Sequence, residues 1–194
     1  VLLAFTTSHE SGHLLVGLLF GARVTSFSIN FINFSAHVGL DGAFTPLQNA
    51  AISAAGVSFS LLLWALFVSL APRKGTLLLE YLKLTASMAI VNALLAWIVI
   101  PILSMNGQVI GDDSANFLRY SGFPPPLVSA AALLVYLLAW TLYLRRAGGL
   151  RALVETLRGQ RFELASPQAR RTLAGMGVSG ALFAAVAIGL GLAF

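Results

Sequence analysis

The chain has 194 residues, 58% of them hydrophobic and only 10% charged, with a mean hydropathy of +0.86. Soluble domains carry about 25% charged residues, and a chain this short has too much surface for its volume to hide so much apolar side chain from water. Composition therefore excludes a soluble globular domain and points to one membrane domain, 1–194, solvated by a lipid bilayer. The chain has no Cys, which excludes disulfides and thiolate metal sites.

The net charge is +5, and seven of the twelve basic residues lie between Arg145 and Arg171. That stretch reads as a loop on the cytoplasmic side of a membrane. It does not read as a nucleic-acid surface, which needs interleaved aromatics on a folded module; Phe162 is its one aromatic residue. The first residues form an apolar run with neither an initiator Met nor a basic region before it, so the true start of the protein is expected to lie upstream.

A helix that crosses the hydrocarbon core takes about 20 apolar residues. Five segments qualify: 1–20, 47–71, 77–103, 125–144 and 172–194. The first is followed by Gly21, a C-cap residue. The second is stopped by Pro72-Arg73-Lys74. The third opens with Glu80 and Lys83, expected at the interface with their stems buried and their charges in water. The fourth starts at the Pro124-Pro125-Pro126 run and ends at Arg145-Arg146. The fifth is rich in Gly and Ala, which suits close helix packing in lipid.

Between the first two segments the pattern changes. In 24–34, Phe27, Ile29 and Phe31 alternate with Ser28 and Asn30, the period of a β-strand. The segment 38–44 reads as the return strand, with Gly39, Asp41 and Gly42 as turn residues. Open strand edges cannot face lipid, so this hairpin is expected at the interface or packed against protein. Within 145–171, Leu150, Leu153, Val154 and Leu157 recur at helical spacing, as in an interfacial amphipathic helix. The expected fold is an all-α polytopic membrane protein with about five transmembrane helices and a membrane-associated β-hairpin between the first two.

The first segment carries the chemistry. It contains His9-Glu10-Ser11-Gly12-His13. A spacing of i, i+4 puts both imidazoles on one helix face, with Cβ atoms about 5–6 Å apart, close enough for one zinc ion at about 2.0–2.1 Å from each nitrogen. Glu10 lies on the flank of that face, where it can take a proton from a water that the ion activates. The residue frequencies of this chain give the pattern roughly one chance in a thousand. Its setting argues further against accident, since ionisable groups at the centre of a membrane helix cost about 2.5 kcal/mol or more each on insertion scales. A catalytic zinc takes three protein ligands and leaves one position open. The candidates for the third are His37, Asp41, Glu80, Asp112 and Asp113. The last two are adjacent acids just before a helix start at Ser114, where an Asp also serves as an N-cap.

These residues resemble the site-2 protease family of intramembrane zinc metalloproteases. His9-Glu10-Ser11-Gly12-His13-Leu14-Leu15 looks like that family's H-E-x-G-H helix, and Gly21-Ala22-Arg23-Val24 with the following strand is similar to its β-hairpin. Ala54-Ala55-Gly56-Val57 resembles its small-residue A-G-P segment, with Val57 in place of Pro. Asp113-Ser114-Ala115-Asn116-Phe117-Leu118 is similar to its late Asp motif, a register that implies Asp113 as third ligand with Asp112 as the alternative. The likeness covers roughly 1–120, a metalloprotease core, and leaves 121–194 as additional helices with the Arg-rich loop.

The chain departs from the family's N-x-x-P-x-x-x-L-D-G pattern. Asn92 and Pro101 are too far apart and Ser114 follows the acid, so the oxyanion-stabilising Asn is either Asn106 or Asn92. The resemblance implies one Zn2+, Glu10 as catalytic base, and hydrolysis of peptide bonds in or near transmembrane segments of a membrane-protein substrate. It implies that the hairpin strand bearing Phe27, Ile29 and Phe31 guides that substrate. It implies no nucleic acid and no particular oligomeric state. Two other classes remain: a metal-binding membrane protein without protease activity, such as a carrier or an inactive homologue, and a structural membrane subunit. A carrier should show polar groups along several helices, and the second and fifth segments show almost none.

Positive charge alternates between successive connections. Arg23 stands alone in 21–46, Arg73 and Lys74 lie in 72–75, Arg119 lies alone beside two acids in 104–124, and seven basic residues lie in 145–171. The positive-inside rule then places 72–75 and 145–171 in the cytoplasm and the hairpin and the Asp112-Asp113 loop outside. An impermeant thiol reagent applied to intact cells should label a Ser121→Cys variant and spare a Gln160→Cys variant; the opposite pattern would invert the topology.

Overall fold

The computed structural model describes residues 1–30, 32, 35–72, 77–106 and 112–147. In chain order these form helix α1 (Leu2–Leu19), strands β1 (Arg23–Asn30) and β2 (Ser35–Asp41), and helices α2 (Pro46–Leu70), α3 (Leu77–Ser104), α4 (Asp113–Ser121) and α5 (Pro125–Ala147). The expected helical segments in 145–171, beyond the end of α5, and in 172–194 lie outside the described residues, as does Phe31.

Among the described residues three helices are long and apolar enough to cross a membrane: Pro46–Leu70, Tyr81–Ser104 and Pro125–Arg146. Their outward faces carry Leu62, Leu66, Leu133, Leu134, Leu137 and Leu138. A helix that stays apolar on its exposed side is at home in lipid and not in water, so the chain is a membrane protein. α1 has 18 residues, but its polar centre from Thr6 to His13 keeps it out of that set. Of the five expected spans, three are therefore present as such among the described residues.

Local chemistry sets the boundaries. α2 begins with a capping box, in which Gln48 N–H donates to Thr45 Oγ1 (3.3 Å) and Thr45 N–H donates to Gln48 Oε1 (2.9 Å), and Pro46 follows at the first helical position. α1 gives way to β1 through Gly21, whose φ of 81° belongs to the left-handed region that favours glycine. Gly122, with φ 68°, ends α4 in the same way.

The two strands form an antiparallel pair with Phe27 opposite Val38, Ser28 opposite His37 and Ile29 opposite Ala36, and with an irregularity between Val24 and Ser26. The return strand thus starts at Ser35, three residues before the expected position. Gly39 and Asp41 are ladder residues opposite Ser26 and Arg23, not turn residues. The reversal falls between Asn30 and Ser35, where Asn30 Oδ1 accepts from Ile32 N–H at 2.9 Å. β2 packs on α1, with Leu40 seated over Gly17.

The apolar core lies where α2, α3 and α5 meet, in a cluster of Val57, Trp64, Val68, Ile90, Leu94 and Ala139. Polar side chains inside it are satisfied: Trp64 Nε1–H donates to Ser87 Oγ (2.9 Å), and Ser129 Oγ donates to the Ile98 carbonyl (2.8 Å). Lys83 corrects the interfacial expectation. It is only 1% exposed, and its Nζ donates to the Pro72 carbonyl at 3.1 Å, just past the end of α2. A cation suits that position because the helix dipole leaves the C-terminal end negative.

α1 and α2 approach closely because Gly12 has no side chain. A Cβ there would lie 2.4 Å from the Ala55 carbonyl oxygen, which is backbone and cannot step aside. At Gly17 a Cβ would meet the end of the Leu40 side chain, which can rotate away. In thermal unfolding of detergent-solubilised protein, Gly12→Ala should lower stability by about 1–3 kcal/mol, and Gly17→Ala should cost less.

Candidate metal centre

His9 and His13 bracket the middle of α1, one turn apart, and face α2 and α4. Their Nε2 atoms stand 2.8 and 3.1 Å from the same atom, Asp113 Oδ2. The ligand atoms of the three residues all lie within 4.8 Å of one another, and the group can hold a metal ion. Asp113 is brought there by the start of α4. Asp112 is the N-cap of that helix, with Oδ1 accepting from Ser114 N–H (2.8 Å) and Ser114 Oγ–H (2.7 Å). Capping therefore occupies one acid of the pair and turns the next into the site.

Three observations test whether a metal fits. First, Gly56 forms the floor of the site. A Cβ there would lie 2.4 Å from His13 Nε2 and 2.6 Å from His9 Nε2, so both nitrogens rest on bare backbone. Second, His13 Nδ1–H donates to the Ile52 carbonyl at 2.6 Å. That bond fixes the tautomer and turns Nε2 toward Asp113, the outer support usual for a metal-ligating histidine. Third, tetrahedral ligands at about 2.0–2.1 Å from zinc stand about 3.3 Å apart; the two histidine–Asp113 approaches of 2.8 and 3.1 Å are near that spacing, within a group that spans up to 4.8 Å. The donor set and its geometry fit a metal. His9 is supported differently: its Nδ1 is buried without a hydrogen-bond partner among the described residues, and its ring packs edge-on against His13 at 4.8 Å.

The site opens into a cleft of about 510 Å³ lined by Glu10, His13, His37, Asn49, Asp113, Asn116 and Tyr120, with Val38, Leu40 and Asp41 of β2 on one wall. Such a volume suits a ligand of several heavy-atom groups. Glu10 is beside the cluster but outside it, and its Oε2 accepts from the Val38 N–H at 3.0 Å.

The other expected positions separate. His37 and Asp41 line the cleft but do not belong to the ligand group, and the Glu80 side chain is outside the described residues. Asn92 on α3 and Asn106 beyond it are both exposed and neither lines the cleft. Phe27 and Ile29 lie on β1, while the cleft wall is β2. The residues that sequence reasoning missed are Asn49, Asn116 and Tyr120. Asn116 and Tyr120 stand three and seven positions after Asp113, the same-face spacing of a helix, and that spacing was the available signal. Comparisons with protein-family models, with curated proteins and with solved structures find no match.

Metal analysis of purified protein should show that His9→Ala, His13→Ala and Asp113→Ala each lose the metal, while Asp112→Ala keeps it. Gly56→Ala should also weaken metal retention, because the new methyl group displaces both imidazoles. Retention by Asp113→Ala together with loss by Asp112→Ala would exchange the two roles.

Proposed function

We propose that the chain is an intramembrane zinc metalloendopeptidase of the site-2 protease type, which hydrolyses peptide bonds in or near transmembrane segments. One observation carries this reading. Two imidazoles and a carboxylate converge in a polar cleft of an otherwise apolar helical protein, with a fourth ionisable group, Glu10, beside them and outside the ligand group. Structural polar clusters pair their charges; this one sets a carboxylate apart in the lining of a cleft.

His9, His13 and Asp113 would hold the ion, which when bound supplies Lewis-acid activation of water and of the scissile carbonyl. Glu10 acts as general base. It accepts a proton from the attacking water and returns it to the leaving amine as the C–N bond breaks. Asn116 and Tyr120 replace Asn92 and Asn106 as the side chains able to donate to a substrate carbonyl, since they face the cleft. The peptide backbone of a membrane helix is bonded internally and closed to attack, so the substrate must unwind. The hairpin can take the unwound segment as an added strand, and the strand available for this is β2.

In this reading α1 is a membrane span alongside the three apolar helices, with the fifth expected span, 172–194, lying outside the described residues. The connections 72–75 and 145–171 are cytoplasmic, and the cleft is reached from the hairpin side.

The test is cleavage of a transmembrane substrate by purified, zinc-loaded protein. Glu10→Gln should keep the metal and reduce turnover by about 10²–10⁴-fold, the range for loss of a general base. Cleavage untouched by that change would overturn the assignment, and a chain that holds metal but cleaves no substrate would be a carrier or an inactive relative.

A further inference from the structure

The Glu10 carboxylate is engaged by the hairpin, through the 3.0 Å bond from Val38 N–H. Val38 lies on β2 opposite Phe27. Its N–H points to Glu10 and not into the ladder, so Phe27 and Val38 form a non-hydrogen-bonded pair, and the backbone groups of Ala36, Val38 and Leu40 share the outer edge of the hairpin. Val38 and Leu40 line the cleft. An unpaired strand edge is a template for a further strand. The Val38 amide thus has two claimants, the Glu10 carboxylate and a carbonyl of an added strand, and one N–H serves a single acceptor at full strength.

We propose that Val38 is a positioning residue whose amide tethers Glu10 to the hairpin, and that a substrate strand pairing with β2 displaces the carboxylate and frees it for the attacking water. This rests on the protease reading of the site and deepens it. The tether selects for conformation. A segment that is still helical has its carbonyls bonded internally and cannot compete for the Val38 N–H. An unwound segment can, and the same pairing that sets its register next to the metal ligands releases the base. The carboxylate bond is of the stronger, charge-assisted kind, so the exchange demands several cooperating ladder bonds and not a single passing carbonyl.

The experiment uses the full chain in detergent and a fluorescent, end-capped, uncharged peptide of eight alternating threonine and valine residues. Glu10→Ala removes the competitor and should bind the peptide roughly tenfold more tightly than the wild type, the factor that about 1.4 kcal/mol makes. Glu10→Gln loses the charge but keeps an acceptor oxygen and should fall between. Val38→Pro removes the donor at an outward-facing edge position that proline tolerates, and should bind more weakly than Glu10→Ala. Hydrogen exchange at the Val38 amide should accelerate in Glu10→Ala and slow again when peptide is added. Equal affinity of wild type and Glu10→Ala, or no binding to any variant, would overturn the tether. These readouts need no cleavage, so a chain that shows the exchange but cleaves nothing would separate the failure of the protease reading from that of the tether.

Discussion

Two histidines and an aspartate meet within a helical bundle whose other buried groups are apolar side chains, serines and one lysine, and the rest of the structure answers to the cost of placing them there. Ionisable groups at the centre of a membrane helix cost about 2.5–3.5 kcal/mol each. They persist where partners and geometry are supplied in advance. His13 has the Ile52 carbonyl behind it and Asp113 in front. Both imidazoles need the absence of a side chain at Gly56, and α1 can lie close enough to α2 only because Gly12 is bare as well. α4 contributes Asp113 because Asp112 takes the cap. A helix pair with glycines at the crossing, a short capped helix and a strand pair against α1 are each explained by the need to hold one point in space.

This dependence explains what was legible in the sequence. The i, i+4 histidines with the intervening glutamate declare themselves because a helix converts their spacing directly into proximity. The long apolar segments are equally local, and α2, α3 and α5 fall close to where composition places them. The Asp112-Asp113 pair was half legible: both acids suit a helix start, and only the hydrogen bonds to Ser114 divide the labour between them. The Asn residues failed for a tertiary reason. Asn92 and Asn106 were candidates in a chain that departs from the family's pattern, and nothing local shows which face of a neighbouring helix looks into the cleft. Lys83 failed for a similar reason. Snorkelling is the general habit of a lysine near a helix end, and the Pro72 carbonyl that captures it belongs to another helix.

The hairpin shows where alternation informs and where it misleads. Period two identified a strand between the first two helices. It did not identify the reversal, because Gly39, Asp41 and Gly42 imitate turn chemistry within and just after β2. The resemblance implied that the strand bearing Phe27 and Ile29 guides a substrate, whereas β2 lines the cleft and β1 does not. A two-stranded sheet has two free edges and is marginal alone. Here α1 packs on β2 and Glu10 of α1 accepts from the outward Val38 amide, so part of the edge that would be a liability in lipid is satisfied by a polar side chain beside the cleft.

The supports of the four ionisable groups differ in a way that matches what the proposed protease reading asks of each. His9, His13 and Asp113 hang on helices and are fixed by packing, by a carbonyl and by a cap, which suits ligands that must keep their spacing through a reaction. Glu10 springs from the same helix, one residue after a ligand, but its carboxylate is tied to the strand opposite. A base must exchange protons and therefore must be able to leave its resting partner. A backbone amide on an open strand edge is a partner that an incoming chain can take over, because every unwound peptide carries the carbonyl needed to replace the carboxylate. In that reading the contact that holds the Glu10 carboxylate is of the same chemical kind as the contact that would bring a substrate in, and recognition and activation would compete for one N–H.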